Sequence, residues 1–172
     1  MFLGLDISTS ITGATILGED GKIVYNNSWD TRKFKNFFEK AKFIEDQIKK
    51  LDYPIKRIYI EQSLQSFRSG FSSAKTLSTL SRFNGVVSWL AYTILRVEPE
   101  YLAASSARKL CGIKIPKGQK AKQVVLNYVI DNVPDVLIEY TKHGNPRPDC
   151  FDKADSWVVA RAGYALCQQK QS

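Results

Sequence analysis

Hydrophobic and polar positions alternate along this chain with two different periods, and the shorter period predicts β-strands. Short apolar runs bounded by polar or Gly-containing turns are typical of buried strands. Five segments fit this description: residues 2–7, 12–17, 22–29, 57–62 and 96–105. The "EDG" turn at 19–21 joins the second and third segments as a hairpin, which predicts an antiparallel meander at the start of the chain.

The longer period predicts amphipathic helices. Residues 34–51 carry apolar side chains on one helical face, at positions 34, 37, 38, 41, 44, 48 and 51, with lysines on the opposite face. We expect Trp89 and Trp157 to lie in the core. Four more helices are predicted, at residues 73–95, 105–112, 120–133 and 150–168. This order of elements predicts an α/β fold with a five-stranded mixed sheet flanked by helices, in a single domain of residues 1–172.

The charge balance favours a polyanionic partner. The 172 residues carry a formal net charge of +8, and the pI is about 9.4. No amphipathic basic helix stands out, and no apolar run approaches the roughly 20 residues of a membrane-spanning helix. Nucleic acid is therefore favoured over a membrane surface as the partner. We find no secretory signal pattern, so we expect the protein in the cytoplasm.

Four carboxylic acids stand at positions where burial is costly unless something neutralises them. Asp6 ends the first apolar strand, and Glu61 directly follows the apolar run at 58–60. Asp152 and Asp155 lie three residues apart, hence on one face, near the start of the last helix. Each acid alone has an ordinary explanation, such as a solvent-facing strand end or an interaction with the helix dipole. Together they predict a cluster at one edge of the sheet.

Such a cluster favours metal-dependent chemistry. Close carboxylates repel one another and remain ionised only if cations neutralise them. Oxygen ligands suit hard ions such as Mg²⁺ or Mn²⁺, and two such ions form a clamp for phosphodiester cleavage. The cysteines offer no zinc-binding spacing, since Cys111, Cys150 and Cys167 are far apart. A basic surface around an acidic centre therefore indicates a nuclease.

Four motifs of the chain resemble those of RuvC-type Holliday junction resolvases, within the ribonuclease H-like superfamily. They occur in the family's order over roughly residues 2–165: "FLGLDISTSITGATIL", "YIEQSL", "KAKQVVLNYV" and "FDKADSWVVARAGY". The resemblance implies a ribonuclease H-like fold with two Mg²⁺ or Mn²⁺ ions per active site, held by the four acids Asp6, Glu61, Asp152 and Asp155. One departure is that Ile7 and Ser8 replace the Pro-Gly pair that usually follows the family's first Asp.

The same resemblance implies a crossover junction endodeoxyribonuclease that acts in DNA recombination and repair. It implies a homodimer that places two active sites across a four-way DNA junction. Paired nicks would leave 5′-phosphate and 3′-hydroxyl ends. Lys122 matches the family's basic residue near the scissile phosphate, and Lys120 is its local substitute. The cell is then expected to be bacterial or phage-infected.

Further DNA contacts are predicted on both sides of these motifs. Many members carry an aromatic wedge three residues beyond the Glu; that position is Leu64 here, with Phe67 three residues further on. The Ser-rich segment that holds them also carries Arg68, and it is longer than usual, as in phage-encoded relatives that act on more kinds of branched DNA. The remaining expected DNA contacts are basic: Arg108 and Lys109, near a second basic position of the family, and Lys117 and Lys120 in the loop at 114–122.

Other classes of function remain open. One is a non-catalytic or RNA-directed nucleic-acid-binding member of the same fold; loss of one or more of the four acids would indicate the non-catalytic one. Another follows from "GLDISTS", which also resembles the phosphate loop of actin-like ATPases. Those proteins need a second, homologous domain, for which 172 residues leave no room. Nucleotide hydrolysis without DNA would favour that class.

Overall fold

A five-stranded sheet places the first strand of the chain at its centre. The computed structural model describes residues 1–63 and 74–170, with strands β1 (Phe2–Asp6), β2 (Ile11–Leu17), β3 (Ile23–Asp30), β4 (Arg57–Glu61) and β5 (Pro99–Leu102). Their order across the sheet is β3-β2-β1-β4-β5. The pairs among β1, β2 and β3 are antiparallel, whereas β4 pairs with β1 and β5 with β4 in parallel. The predicted mixed sheet is confirmed.

Helices cover both faces of this sheet. They are α1 (Phe37–Lys49), α2 (Ala74–Leu95), α3 (Ala104–Leu110), α4 (Ala121–Asn132) and α5 (Asp149–Gln169). Successive side chains of a strand point to opposite faces. Leu3 and Leu5 accordingly belong to one apolar core with α1 and α2, and Phe2 belongs to another with α3, α4 and α5. None of the helices in the described ranges is long and apolar enough to cross a membrane.

Helix α1 begins three residues later than its apolar period predicts. The side chain of Asn36 accepts a hydrogen bond from the backbone N–H of Glu39 at 2.8 Å and caps the helix. Phe34 lies before this cap and packs against Phe43, with ring centroids 5.1 Å apart. The predicted start at residue 34 is therefore wrong, because Phe34 continues the apolar face without being helical.

One of the two tryptophans expected in the core is not there. Trp157 is 8% exposed, as predicted, but Trp89 is 62% exposed. Residues 86–91 of α2 are apolar on more than one helical face, so their pattern does not show which face meets the sheet. Val87 packs in the core. Trp89 is left outside, where it lines an open groove together with Phe38 of α1.

Candidate active site

Two of the four acids come together because their strands are parallel neighbours. Asp6 is the last residue of β1, and Glu61 is the last residue of β4. The pairing of these strands continues up to Leu5 and Ile60, one residue before each acid. Parallel strands end at the same edge of a sheet, so both carboxylates lie at that edge. Asp6 is buried and Glu61 is half-buried.

The other two acids reach this edge on α5, which crosses the sheet at very short distance. Asp152 is buried in the first turns of the helix, and the side chain of Asp155 is 13% exposed. Gly13 of β2, which pairs with Asp6 across the strands, makes this approach possible. A Cβ atom at Gly13 would lie 1.9 Å from the carbonyl oxygen of Asp152. Only a residue without a side chain allows α5 to pack here.

The acids are close enough to change one another's ionisation. Burial, followed by the negative charges of Glu61 and Asp155, raises the pKa of Asp6 well above its ordinary value. Burial and the charge of Asp155 raise the pKa of Glu61 to about 7. The pKa values of Asp152 and Asp155 are also raised, in both cases mainly by burial. The structure thus brings the four predicted acids into one electrostatic cluster.

Lys122, at the start of α4, supplies a positive charge to this cluster. Its Nζ lies 3.4 Å from Oδ1 of Asp152 and 3.4 Å from Oδ2 of Asp155. Partial burial of the ammonium lowers its pKa, but the surrounding carboxylates outweigh this effect and raise the pKa of Lys122 above its ordinary value. The positive charge of Arg108 on α3 opposes the rise in the pKa of Glu61 and of Asp155. Lys122 therefore lies against two of the acids, and Arg108 is near enough to act electrostatically on two of them.

The chemistry of this donor set fits divalent cations. Four carboxylates face two cationic side chains, which leaves an excess of negative charge, and carboxylate oxygens are the ligands that Mg²⁺ and Mn²⁺ prefer. Among residues 1–63 and 74–170, no three His, Cys, Asp or Glu side chains are arranged to hold a metal ion as they stand. Lys122 lies against two of the acids instead. Binding an ion requires the carboxylates to turn toward a common point.

The other basic residues predicted to contact DNA lie on exposed surface. Lys109 is exposed on α3, and Lys117 and Lys120 are exposed in the segment before α4. An open groove runs between α3 and the chain that follows it, lined by Ser105, Arg108, Lys109, Gly112, Ile113, Lys114 and Ile115. Three of these seven residues are basic. The groove begins near the acids, because Arg108 acts electrostatically on Glu61.

Three predicted DNA contacts, Leu64, Phe67 and Arg68, lie outside the described residues, and they stay predictions. Two features near the site were missed from the sequence, the close contact at Gly13 and the burial of Lys153. A Gly inside a strand pattern often marks the close approach of another backbone, and this signal was present at Gly13. The burial of Lys153 carries no such signal, because Glu139, one of the two acids that its ammonium contacts, lies in a separate segment of the chain.

The strand order and the placement of the helices define a ribonuclease H-like fold, and solved structures of this fold are similar to the chain over nearly its whole length. No protein-family model and no curated protein matches the sequence. RuvC of Thermus thermophilus in complex with a Holliday junction substrate has a TM-score of 0.66 and 12% identity, and the match covers 97% of this chain and 94% of that one.

Two further structures agree with this result. Another Thermus thermophilus RuvC structure has a TM-score of 0.63 and 17% identity, with 98% of this chain and 95% of that chain covered. The yeast mitochondrial Holliday junction resolvase Ydc2 has a TM-score of 0.60 and 16% identity, with 98% and 79% covered. The chain has the fold of the RuvC-type Holliday junction resolvases, as the sequence motifs predicted. At sequence identities of 12 to 17%, these similarities show a shared fold.

Proposed function

We propose that the protein is a metal-dependent endonuclease that resolves four-way DNA junctions by paired nicking, in recombination and repair. The observation that carries this proposal is the convergence of Asp6, Glu61, Asp152 and Asp155 at one edge of the sheet, with an excess of negative charge, on a basic protein. A cluster of buried, mutually repelling carboxylates destabilises the fold unless it is neutralised. Its presence is therefore best explained by a function that uses it.

The four acids would hold Mg²⁺ or Mn²⁺, with two ions in the active site. When bound, such ions activate a water molecule and stabilise the leaving oxygen of the phosphodiester. The excess negative charge of the cluster and its purely oxygen donor set support this assignment. Burial of Asp6 and Asp152 also keeps bulk water away from the charged groups, which strengthens their interaction with a cation.

The basic residues around the acids would hold the DNA. Lys122 is near enough to Asp152 and Asp155 to contact the scissile phosphate when DNA is bound. Arg108 and Lys109 line the groove beside the acids, and we assign this groove to the sugar–phosphate backbone. Lys117 and Lys120, which are exposed just before α4, would add further backbone contacts. Backbone contacts of this kind position the strand without reading its sequence.

The four-way junction is the proposed substrate because the structurally similar proteins are Holliday junction resolvases, one of them solved with its junction substrate. The test is incubation of the purified protein with Mg²⁺ or Mn²⁺ and labelled DNA: a synthetic four-way junction, a three-way fork and a linear duplex. We expect nicks near the crossover of the junction, and products that DNA ligase reseals because they carry 5′-phosphate and 3′-hydroxyl ends. Equal cutting of the linear duplex would contradict junction selectivity.

Paired nicking requires two active sites, so we further propose that the protein acts as a homodimer. Sedimentation at the concentration used for cutting tests this directly. We expect the mass of two chains of 19.5 kDa each. A monomer that still makes both nicks in one binding event would contradict the dimer.

A further inference from the structure

The first turns of α5 carry a lysine that is buried rather than exposed. Lys153 is 6% exposed and lies in sequence between Asp152 and Asp155. A buried ammonium is costly unless carboxylates pair with it. Its Nζ lies 3.5 Å from Oδ2 of Asp149, one turn earlier in α5, and 3.6 Å from Oε2 of Glu139, in the segment that leads into the helix.

The two acids that pair with Lys153 are held by other parts of the molecule. Asp149 accepts a hydrogen bond at 3.3 Å from the hydroxyl of Ser28 on β3. Arg147 contacts both acids, with Nη1 3.6 Å from Glu139 and Nε 3.5 Å from Asp149. We call Lys153, Glu139, Asp149 and Arg147 the Lys153 cluster. It ties the start of α5 to the preceding segment and to β3.

The main chain at Lys153 is attached to the sheet as well. Nδ2 of Asn26 donates to the carbonyl oxygen of Lys153 at 3.1 Å and to Oγ1 of Thr15 at 2.7 Å. Oγ1 of Thr15 also lies 2.8 Å from Oγ of Ser156, and both of these residues are fully buried. Hydrogen bonds therefore attach α5 to β2 and β3 along the side of the helix that faces these strands. Oδ1 of Asn26 is buried without a hydrogen-bond partner among the described residues, so the attachment runs through the donor side of this amide.

We propose that Lys153 is a positioning residue, which fixes the first turns of α5 so that Asp152 and Asp155 are aimed at the metal ions. The inference rests on the proposed function. Without the ammonium, Arg147 still offsets part of the charge of Glu139 and Asp149, but their repulsion rises and the first turn of α5 shifts. Asp152 directly precedes Lys153 in the chain, so its carboxylate moves with this turn.

The test compares Lys153→Met with the wild type and with a matched control. Methionine keeps most of the side-chain length and removes the ammonium. The control is Lys42→Met, because Lys42 also contacts two carboxylates, at 2.9 and 3.2 Å, but on the exposed surface of α1. One readout is the Mn²⁺ concentration at the midpoint of the Mn²⁺-dependent rise in Tm, measured without DNA. The other is kcat and KM for nicking a synthetic four-way junction.

We expect Lys153→Met to raise the Mn²⁺ midpoint by about 10- to 100-fold, the usual effect of removing a group that orients metal ligands. We expect kcat to fall while KM for the junction stays at its wild-type value, because the DNA-contacting surface is unchanged. Lys153→Arg should restore most of both quantities, and Lys42→Met should change neither. An unchanged midpoint together with an unchanged kcat in Lys153→Met would overturn the proposal.

If Lys153→Met does not fold, Glu139→Gln and Asp149→Asn carry the same test, since each removes one carboxylate partner of Lys153. A Mn²⁺ midpoint that neither substitution shifts would overturn the proposal as well. A wild-type protein that fails to nick the junction contradicts the proposed function. The Mn²⁺ midpoint, measured without DNA, still decides whether Lys153 positions the acids.

Discussion

The carbonyl oxygen of Asp152 lies against the α-carbon of Gly13 so closely that a Cβ atom there would be 1.9 Å from it. Gly13 also pairs with Asp6 across the two strands. This single glycine thus determines how near the acids of α5 come to the acid of β1. The active site depends on a close contact between helix and sheet as much as on the acids themselves.

Gly13→Ala should separate the acids and inactivate the protein. The added methyl group meets backbone rather than a flexible side chain, so we expect a loss of about 1–3 kcal/mol in the free energy of unfolding, the usual cost of overpacking. Cutting of the junction should disappear with it. Chemical denaturation and nicking assays measure the two effects.

Gly85→Ala is the matched control for this substitution. A Cβ atom at Gly85 meets nothing within 4 Å, and the residue lies inside α2. Alanine should therefore stabilise the protein by about 0.5–1 kcal/mol without affecting cutting. A Gly13→Ala protein as stable and active as Gly85→Ala would show that the contact does not constrain α5.

The metal-free protein should lose stability as pH rises from about 4.5 through about 7. The pKa of Glu61 is raised from 4.5 to about 7, and that of Asp6 is also raised, so the folded state keeps protons that the unfolded chain has released. Asp6→Asn removes one of these charges. In the presence of a chelator, its Tm should exceed that of the wild type at about pH 8, and the difference should narrow toward about pH 5.

Asp46→Asn on the exposed surface of α1 is the control for this pH dependence, because Asp46 pairs with a surface lysine of its own helix. Its Tm should follow the wild-type value at every pH. If Asp6→Asn were no more stable than the wild type at alkaline pH, mutual repulsion among the buried acids would not be a significant cost to the fold.

Lys122→Met should slow cutting more than it weakens DNA binding. The substitution removes the ammonium that lies 3.4 Å from both Asp152 and Asp155. Loss of one such electrostatic contact at a reacting phosphate typically costs about 100-fold or more in rate. Single-turnover nicking rates and junction affinities separate the two effects, and Lys122→Arg should recover part of the rate. Full activity in Lys122→Met would exclude Lys122 from the chemistry.

The exposed lysines on α3 and in the segment before α4 should contribute to binding through phosphate contacts. For Lys109→Ala, Lys117→Ala and Lys120→Ala, we expect weaker junction binding. The slope of log K against log salt concentration should fall in magnitude by about one for each phosphate that the variant no longer neutralises. Lys49→Ala on α1 serves as the control, since Lys49 pairs with Glu45 of its own helix. Salt slopes equal to the wild-type value in all three variants would exclude this surface from the DNA path.

The parts of the site that follow strand ends were predictable from the sequence. An apolar run that stops at an acid fixes both the strand and the edge at which the carboxylate lies, which is how Asp6 and Glu61 were found. Asp152 and Asp155 followed from their helical spacing. Lys122 was assigned from a motif, and the structure brings it against two of these acids.

Other features depend on contacts between distant parts of the chain and could not be predicted. Trp89 was misplaced because α2 is apolar on several faces, and only packing decides which of them meets the sheet. The burial of Lys153 depends on Glu139, which reaches it from outside the helix. The local pattern of apolar and polar residues predicts where a helix or strand lies. The exposure of Trp89 and the burial of Lys153 depend instead on how the elements pack together.

The central claim is that the four acids perform the cutting, and the most direct measurement is nicking of a synthetic four-way junction by the wild type, Asp6→Asn and Glu61→Gln in Mg²⁺ or Mn²⁺. Both substitutions keep the size of the side chain and remove its charge. We predict that the wild type nicks near the crossover, while both variants bind the junction and do not cut it. Cutting by both variants at the wild-type rate would contradict the assignment of the active site.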